Sequence, residues 1–230
     1  MKNILWSDYS HHFAENHFVA AFTNSNFPYS RSNDRPEFAK SLELDYHNII
    51  EPSQVHSNNV EICTKSGVTE NTDGVITINR ELVLSIQVAD CIPIFIFDKQ
   101  NHNFGLVHAG WRGVQSGIVK NSIEKMLQLN SDLKDIKILL GPSIRQCCFE
   151  VGPEVGKLFD IIHQLTGNRD RLLLDLQGVV KNQLVELGIE FGNIIDVEEC
   201  TCCSNKHHSF RRDGEKAGRM IAMIGWKNKN

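Results

Sequence analysis

Leu82-Val83-Leu84-Ser85-Ile86-Gln87-Val88, Ile92-Pro93-Ile94-Phe95-Ile96-Phe97 and Phe104-Gly105-Leu106-Val107-His108 follow one another closely. Only Ala89-Asp90-Cys91 and a turn beginning Asp98-Lys99-Gln100-Asn101 separate them. Each run is short, rich in branched and aromatic residues, and bounded by turn chemistry, the pattern of buried strands. The connections leave no room for helices. These runs, with residues 75–78 after the turn signal Asp73-Gly74, therefore belong to a mainly antiparallel or mixed sheet. Further strands are expected at 18–22, 136–140, 172–174 and 194–197.

Helical periodicity appears between the outer strands. After Gly113, Val119, Ile123, Met126 and Leu127 fall on one helix face. Pro153 opens a second pattern carrying Val155, Leu158, Phe159 and Ile162, and a third covers 177–187 and ends at Gly188, a natural left-handed cap. Shorter helices are expected at 215–224 and at 34–44, with Pro36 near the start of the latter. No repeat or low-complexity tract interrupts the pattern, so the fold class is α+β.

The chain has 230 residues, 41% hydrophobic and 23% charged, which fits one compact domain over 1–230 with a sizeable core. A net charge of −4 provides no basic footprint for nucleic acid. The N-terminus lacks the apolar stretch of a secretory signal, and no run approaches the roughly 20 apolar residues of a membrane span, so a cytoplasmic protein is expected. Seven cysteines, odd in number and unevenly spaced, argue against a disulfide framework and for metal binding or packing.

Two of the strand edges carry chemistry. Cys91 opens the Ile92 run, and His108 closes the next one, immediately before Ala109-Gly110-Trp111-Arg112-Gly113. Gln54-Val55-His56 ends another short apolar segment. His56, Cys91 and His108 make a soft three-ligand set that suits Zn²⁺ with a fourth position open, although the spacing requires the fold to bring them together. Gly110, Trp111, Arg112 and Gly113 form a strand-to-helix turn that reads as an anion nest, with Arg112 adding a planar charged fork for phosphate. The cluster Cys200, Cys202, Cys203, His207 and His208 is dense, but Cys-x-Cys-Cys is not the Cys-x₂-Cys knuckle and the adjacent His pair suits chelation poorly, so no second metal is expected there.

A series of segments in order resembles the YfiH-like family: Gln54-Val55-His56, Ala89-Asp90-Cys91, Gly105 through Gly113, Gly141-Pro142-Ser143-Ile144, Gln146-Cys147-Cys148-Phe149-Glu150-Val151-Gly152, Cys200-Thr201-Cys202 and Phe210-Arg211-Arg212-Asp213-Gly214. That family was first called multicopper polyphenol oxidoreductase (laccase) and is now associated with purine nucleoside phosphorolysis and adenosine deamination. The resemblance implies an α/β/β/α layered arrangement, with His56, Cys91 and His108 as metal ligands and zinc, or copper, as the metal. It further implies a pocket in which Ser143 hydrogen-bonds a base or sugar, Phe210 stacks on a base, and Arg211 or a neighbouring arginine meets phosphate. Purine nucleoside and phosphate are the implied partners, with Cys91, His108 and Arg112 in the catalytic set.

The resemblance departs at the N-terminus. The family carries a Thr-Arg-x-Gly-Gly segment where this chain reads Phe22-Thr23-Asn24-Ser25-Asn26-Phe27. Asn24 stands in place of the arginine, with Arg31 or Arg35 as substitutes. Two other activities fit the same residues. One is a cysteine hydrolase with Cys91 as nucleophile and His108 as base, acting on an amide such as a cytoplasmic peptidoglycan precursor. The other is a copper-dependent polyphenol oxidase, which needs more paired histidines than the chain arranges.

Overall fold

A computed structural model describes residues 5–28 and 34–228. In chain order its first strands are β1 (Trp6–Asp8), β2 (Phe18–Thr23), β3 (Ile49–Pro52), β4 (Val60–Ile62), β5 (Gly67–Thr69), β6 (Gly74–Thr77), β7 (Val83–Val88) and β8 (Ile92–Asp98). They continue as β9 (Phe104–Ala109), β10 (Ile136–Leu140), β11 (Glu150–Val151), β12 (Gln164–Thr166), β13 (Leu172–Leu174), β14 (Ile194–Asp196) and β15 (Met220–Trp226). The helices are α1 (Asp34–Ser41), α2 (Trp111–Gln115), α3 (Ile118–Gln128), α4 (Pro153–Gly156), α5 (Leu176–Glu186) and α6 (Phe210–Asp213).

Twelve of these strands form two six-stranded mixed sheets, ordered β1-β2-β15-β7-β3-β5 and β14-β10-β8-β9-β6-β4, and the other three form a small sheet ordered β11-β13-β12. Strand alternation divides their side chains among three cores. Leu84, Ile86, Phe95, Phe97, Phe104, Leu106, Ala222 and Ile224 pack between the sheets. The opposite face of the second sheet, with Ile94, Ile96, Val107 and Ala109, is covered by Val119, Ile123 and Met126 of α3 and Val180 and Leu184 of α5. The opposite face of the first sheet, with Val19, Ala21, Ile221 and Met223, is covered by Phe38 and Ala39 of α1. The result is the α/β/β/α layering of an α+β fold.

Two expected helices are corrected. Residues 215–224 do not form one: after a single turn at Gly214–Lys216 the chain enters β15, which is hydrogen-bonded between β2 and β7. A central strand buried on both faces reads as an unbroken apolar run, and Met and Ala tilt such a run towards helix. The helix from Pro153 to Ile162 is confined to Pro153–Gly156. Asp160 caps a separate 3-10 turn by accepting from Ile162 N at 3.1 Å, and Ile161 and Ile162 are left in solvent. Elsewhere the expected elements are present with shifted ends. One expected helix is split by Gly117, whose φ of 94° no L-residue adopts easily, into α2 and α3.

Phe97 anchors the inter-sheet core, with ring centroids 5.8 Å from Phe13 and 4.3 Å from Phe18. Phe97→Ala should lower unfolding stability by about 3–5 kcal/mol, whereas Ile161→Ala should change it by less than about 0.5 kcal/mol. Urea denaturation of both variants checks this; equal shifts would contradict the assignment of the core.

Candidate metal centre

The site is organised by a residue that the sequence presents only as half of a turn signal. Asp73 precedes β6 and is fully buried. Its carboxylate accepts hydrogen bonds from Val55 N at 3.2 Å, His56 N at 3.0 Å, and Ser57 through both N at 2.6 Å and Oγ at 2.7 Å. Three successive N–H groups converge because Gln54 and His56 adopt positive φ, 38° and 60°, a concave backbone that suits an anion. Asp73 also lies 2.8 Å from His108 Nδ1, and its carbonyl accepts from His108 N at 2.7 Å. Burial alone would raise the Asp73 pKa, but the hydrogen bonds from His108 and Ser57 outweigh it and hold the carboxyl at about 2. An ionised carboxylate can only accept, so Nδ1 of His108 carries the proton and Nε2 is left for the site.

The register of β9 supplies the rest. His108 shares the inter-sheet face with Phe104 and Leu106 and pairs with Pro93 across β8, which brings it near Cys91 at the head of that strand. His56, Cys91 and His108 each offer one ligand atom within 4.8 Å of the others. Cys91 Sγ lies 3.9 Å from His56 Nε2, and the rings of His56 and His108 are 4.8 Å apart, edge to face. Tetrahedral zinc with ordinary Zn–S and Zn–N lengths would place such an S–N pair about 3.6 Å apart, so the set fits the ion with little movement. Burial opposes ionisation of the Cys91 thiol, yet His108 and His56 overcome it and lower its pKa. His108 is correspondingly raised, against its own burial, by Cys91 and Asp73. His56 is exposed at the rim, which leaves one side of the set open to solvent.

The glycines of the following turn serve this packing. A Cβ at Gly110 would lie 3.0 Å from His56 Cδ2 and 3.1 Å from Cys91 Sγ, and one at Gly113 would meet Ser57 O at 2.7 Å. Both positions therefore let α2 approach the ligand loop. Arg112 is exposed, with its guanidinium 4.3 Å from the centre of the partly buried Trp111 ring.

Other expected residues are placed differently. Ser143 is fully buried, its hydroxyl taking Gln177 Nε2 at 2.8 Å and reaching Gly141 O at 3.2 Å, so it is committed to the scaffold and not to a ligand. Arg211 donates to Cys148 O at 3.0 Å and lines a cavity of about 460 Å³ with Cys147, Cys148 and Glu150, apart from the three ligands. Phe210 is half exposed on α6. That helix is anchored to the residue before Cys91 through Arg211 N and Ser209 Oγ, which meet Asp90 Oδ2 at 2.7 and 3.1 Å. Arg35 pairs with Glu51 at 2.7 Å and donates to Ser85, and Arg31 lies outside the described residues. Asp73 and Asp90 are the residues that sequence reasoning missed; Asp90 could have been found as the acidic residue next to Cys91 at a strand boundary, whereas Asp73 offered only the glycine after it.

Residues 21–227 match the family model described as multi-copper polyphenol oxidoreductase laccase, and the chain belongs to that family. It is 31% identical over 213 residues to a protein from an unknown prokaryotic organism named adenosine deaminase RL5, covering 83% of this chain and 79% of that one. It is 33% identical over 174 residues to a purine nucleoside phosphorylase of Aquifex aeolicus, covering 75% and 81%. Among solved structures, Bacillus licheniformis YfiH superposes with a TM-score of 0.86 at 28% identity over 92% of this chain and 94% of that one. YlmD from Geobacillus stearothermophilus shares the fold with a TM-score of 0.89 at 24% identity, over 99% of this chain and 98% of that one.

Asp73→Asn keeps the shape of the side chain but removes its charge, and should weaken metal binding by about 10- to 100-fold. Competition against a chromophoric chelator measures this; an unchanged affinity would remove Asp73 from its positioning role.

Proposed function

We propose that this family member is a zinc-dependent purine nucleoside enzyme that cleaves adenosine or inosine with phosphate and also deaminates adenosine. The observation that carries the proposal is the open-sided His56–Cys91–His108 set with His108 oriented by Asp73, three donors where a structural site would supply four. The names of the relatives supply the substrate class. A methylthio-substituted adenosine falls within the same class, and copper is the alternative metal for the same donors.

His56, Cys91 and His108 would hold the ion, which would supply Lewis-acid polarisation and a water of lowered pKa. The flanking residues bind and orient. Arg112, exposed on α2 just beyond Gly110, offers a fork for phosphate, and Phe210, exposed on α6 beside Asp90, offers a face for the purine. In phosphorolysis a phosphate oxygen forms the new bond to C1′ as the bond from C1′ to the purine nitrogen breaks. The electron pair leaves with the base, which takes up a proton. In deamination water adds at C6 and ammonia departs.

One specific observation favours a second reading. Asp73, His108 and Cys91 form a carboxylate–imidazole–thiol chain with a depressed thiol pKa, the arrangement of a cysteine hydrolase. That mechanism has no use for His56. In a nucleoside panel assayed with and without phosphate, His56→Ala and stripping with a strong chelator should each abolish turnover, with zinc restoring only the stripped protein. Arg112→Ala should lower phosphorolysis by about 10- to 150-fold, the loss of one charge-assisted contact, while largely sparing deamination. Near-normal turnover in His56→Ala would make the cysteine hydrolase the better reading.

A further inference from the structure

The cysteines near the C-terminus have partners that spacing alone does not reveal. Cys147 and Cys148, in the loop between β10 and β11, meet Cys200 and Cys203, and the four sulfurs lie within 4.8 Å of one another. The Sγ–Sγ separations are 3.8 Å for Cys147–Cys148, 3.6 Å for Cys147–Cys203 and 3.3 Å for Cys148–Cys203. A tetrahedron with metal–sulfur bonds of about 2.3 Å has sulfur–sulfur edges of about 3.8 Å, so these separations are close to those of a filled site. All four cysteines are free thiols.

The expectation of no second metal came from reading Cys200, Cys202 and Cys203 as Cys-x-Cys-Cys. Cys202 packs against the helix-side core, leaving Cys200-Thr201-Cys202-Cys203 as a Cys-x₂-Cys pair. The Cys200 carbonyl accepts from Ser204 N at 3.1 Å, which closes the turn that carries both cysteines. His207 is not part of the set; it is buried against Phe22 and lies 3.3 Å from Glu199.

Cationic groups adjoin the cluster. Four thiolates around a divalent ion leave two negative charges. Arg211 is fixed on Cys148 O at 3.0 Å, and Arg212, on the carbonyls of Thr201 at 3.1 Å and Cys202 at 3.2 Å, is itself paired with Asp213 at 2.8 Å.

We propose that Cys147, Cys148, Cys200 and Cys203 bind a second metal ion, a soft divalent cation such as Zn²⁺, in a closed four-sulfur structural site. As the four sulfur–metal bonds form, the thiol protons pass to solvent. The ion joins two segments that both hold Asp90: Ile144 N donates to Asp90 O at 2.9 Å, Thr201 Oγ1 to Asp90 Oδ1 at 2.6 Å, and Ser143 bridges Cys200. Asp90, at a φ of 83°, immediately precedes Cys91, so the second site holds the segment that presents a ligand of the first.

Native mass spectrometry of the full chain, reduced and supplied with zinc, tests this. Cys148→Ser and Cys203→Ser should each carry one zinc ion fewer than the unmodified protein, while Cys202→Ser keeps the full complement. His56→Ala should lose a different ion, so that His56→Ala combined with Cys203→Ser loses both. In case the serine variants fail to fold, alkylation of the unmodified protein gives an independent reading. The exposed Cys147 and Cys203 should resist alkylation until a chelator is added. A full zinc complement in Cys203→Ser, immediate alkylation of both thiols in zinc, or a mass lighter by two hydrogens that reveals a disulfide would each overturn the proposal.

Discussion

A buried carboxylate is tolerated in a protein interior only when its charge is met by donors, and Asp73 is met by donors from two parts of the chain at once. The backbone of 55–57 closes around it from one side and His108 from the other. The same contact that satisfies Asp73 therefore sets the conformation of the loop carrying His56 and chooses the tautomer of His108. It exists because β6 pairs with β9 in the register Gly74↔Val107, which puts the residue before β6 beside the histidine near the end of β9. The site is thus a consequence of sheet register and one ion, with the ligands as its outer layer.

Close packing extends that constraint outward. Gly110 leaves the space occupied by His56 and Cys91, and Gly113 lets α2 rest on Ser57. Asp90 repeats the device on the other side of Cys91, taking Thr201, Ser209 and the backbone of Arg211 and so tying the C-terminal loop to the strand edge. α6 is fixed to the strand edge through these small contacts, whereas α2 also buries Val114 in the helix-side core.

Much of this was legible in the sequence. Eight strands and the main helices announced themselves through apolar runs between turn residues, and His56, Cys91 and His108 stood out as soft donors at strand edges. What was lost depended on long-range pairing. β15 has no alternation because both its faces are buried, so its period could not be read. The family resemblance implies that Ser143 lines the pocket, yet an isolated bridge to Cys200 draws it inside. The cysteines were grouped by proximity in sequence, whereas the fold joins 147–148 to 200–203 across more than fifty residues. Asp73 carried no distinguishing signal beyond the glycine after it.

The most direct measurement of the central claim is the protonation of the His108 ring, read from long-range ¹H–¹⁵N correlations of the zinc-loaded protein. A proton on Nδ1, hydrogen-bonded to Asp73, with Nε2 unprotonated and shifted by the metal, is the state that the buried carboxylate enforces. A proton on Nε2 with Nδ1 bare would contradict it, because Asp73 would then hold neither the ring nor the site.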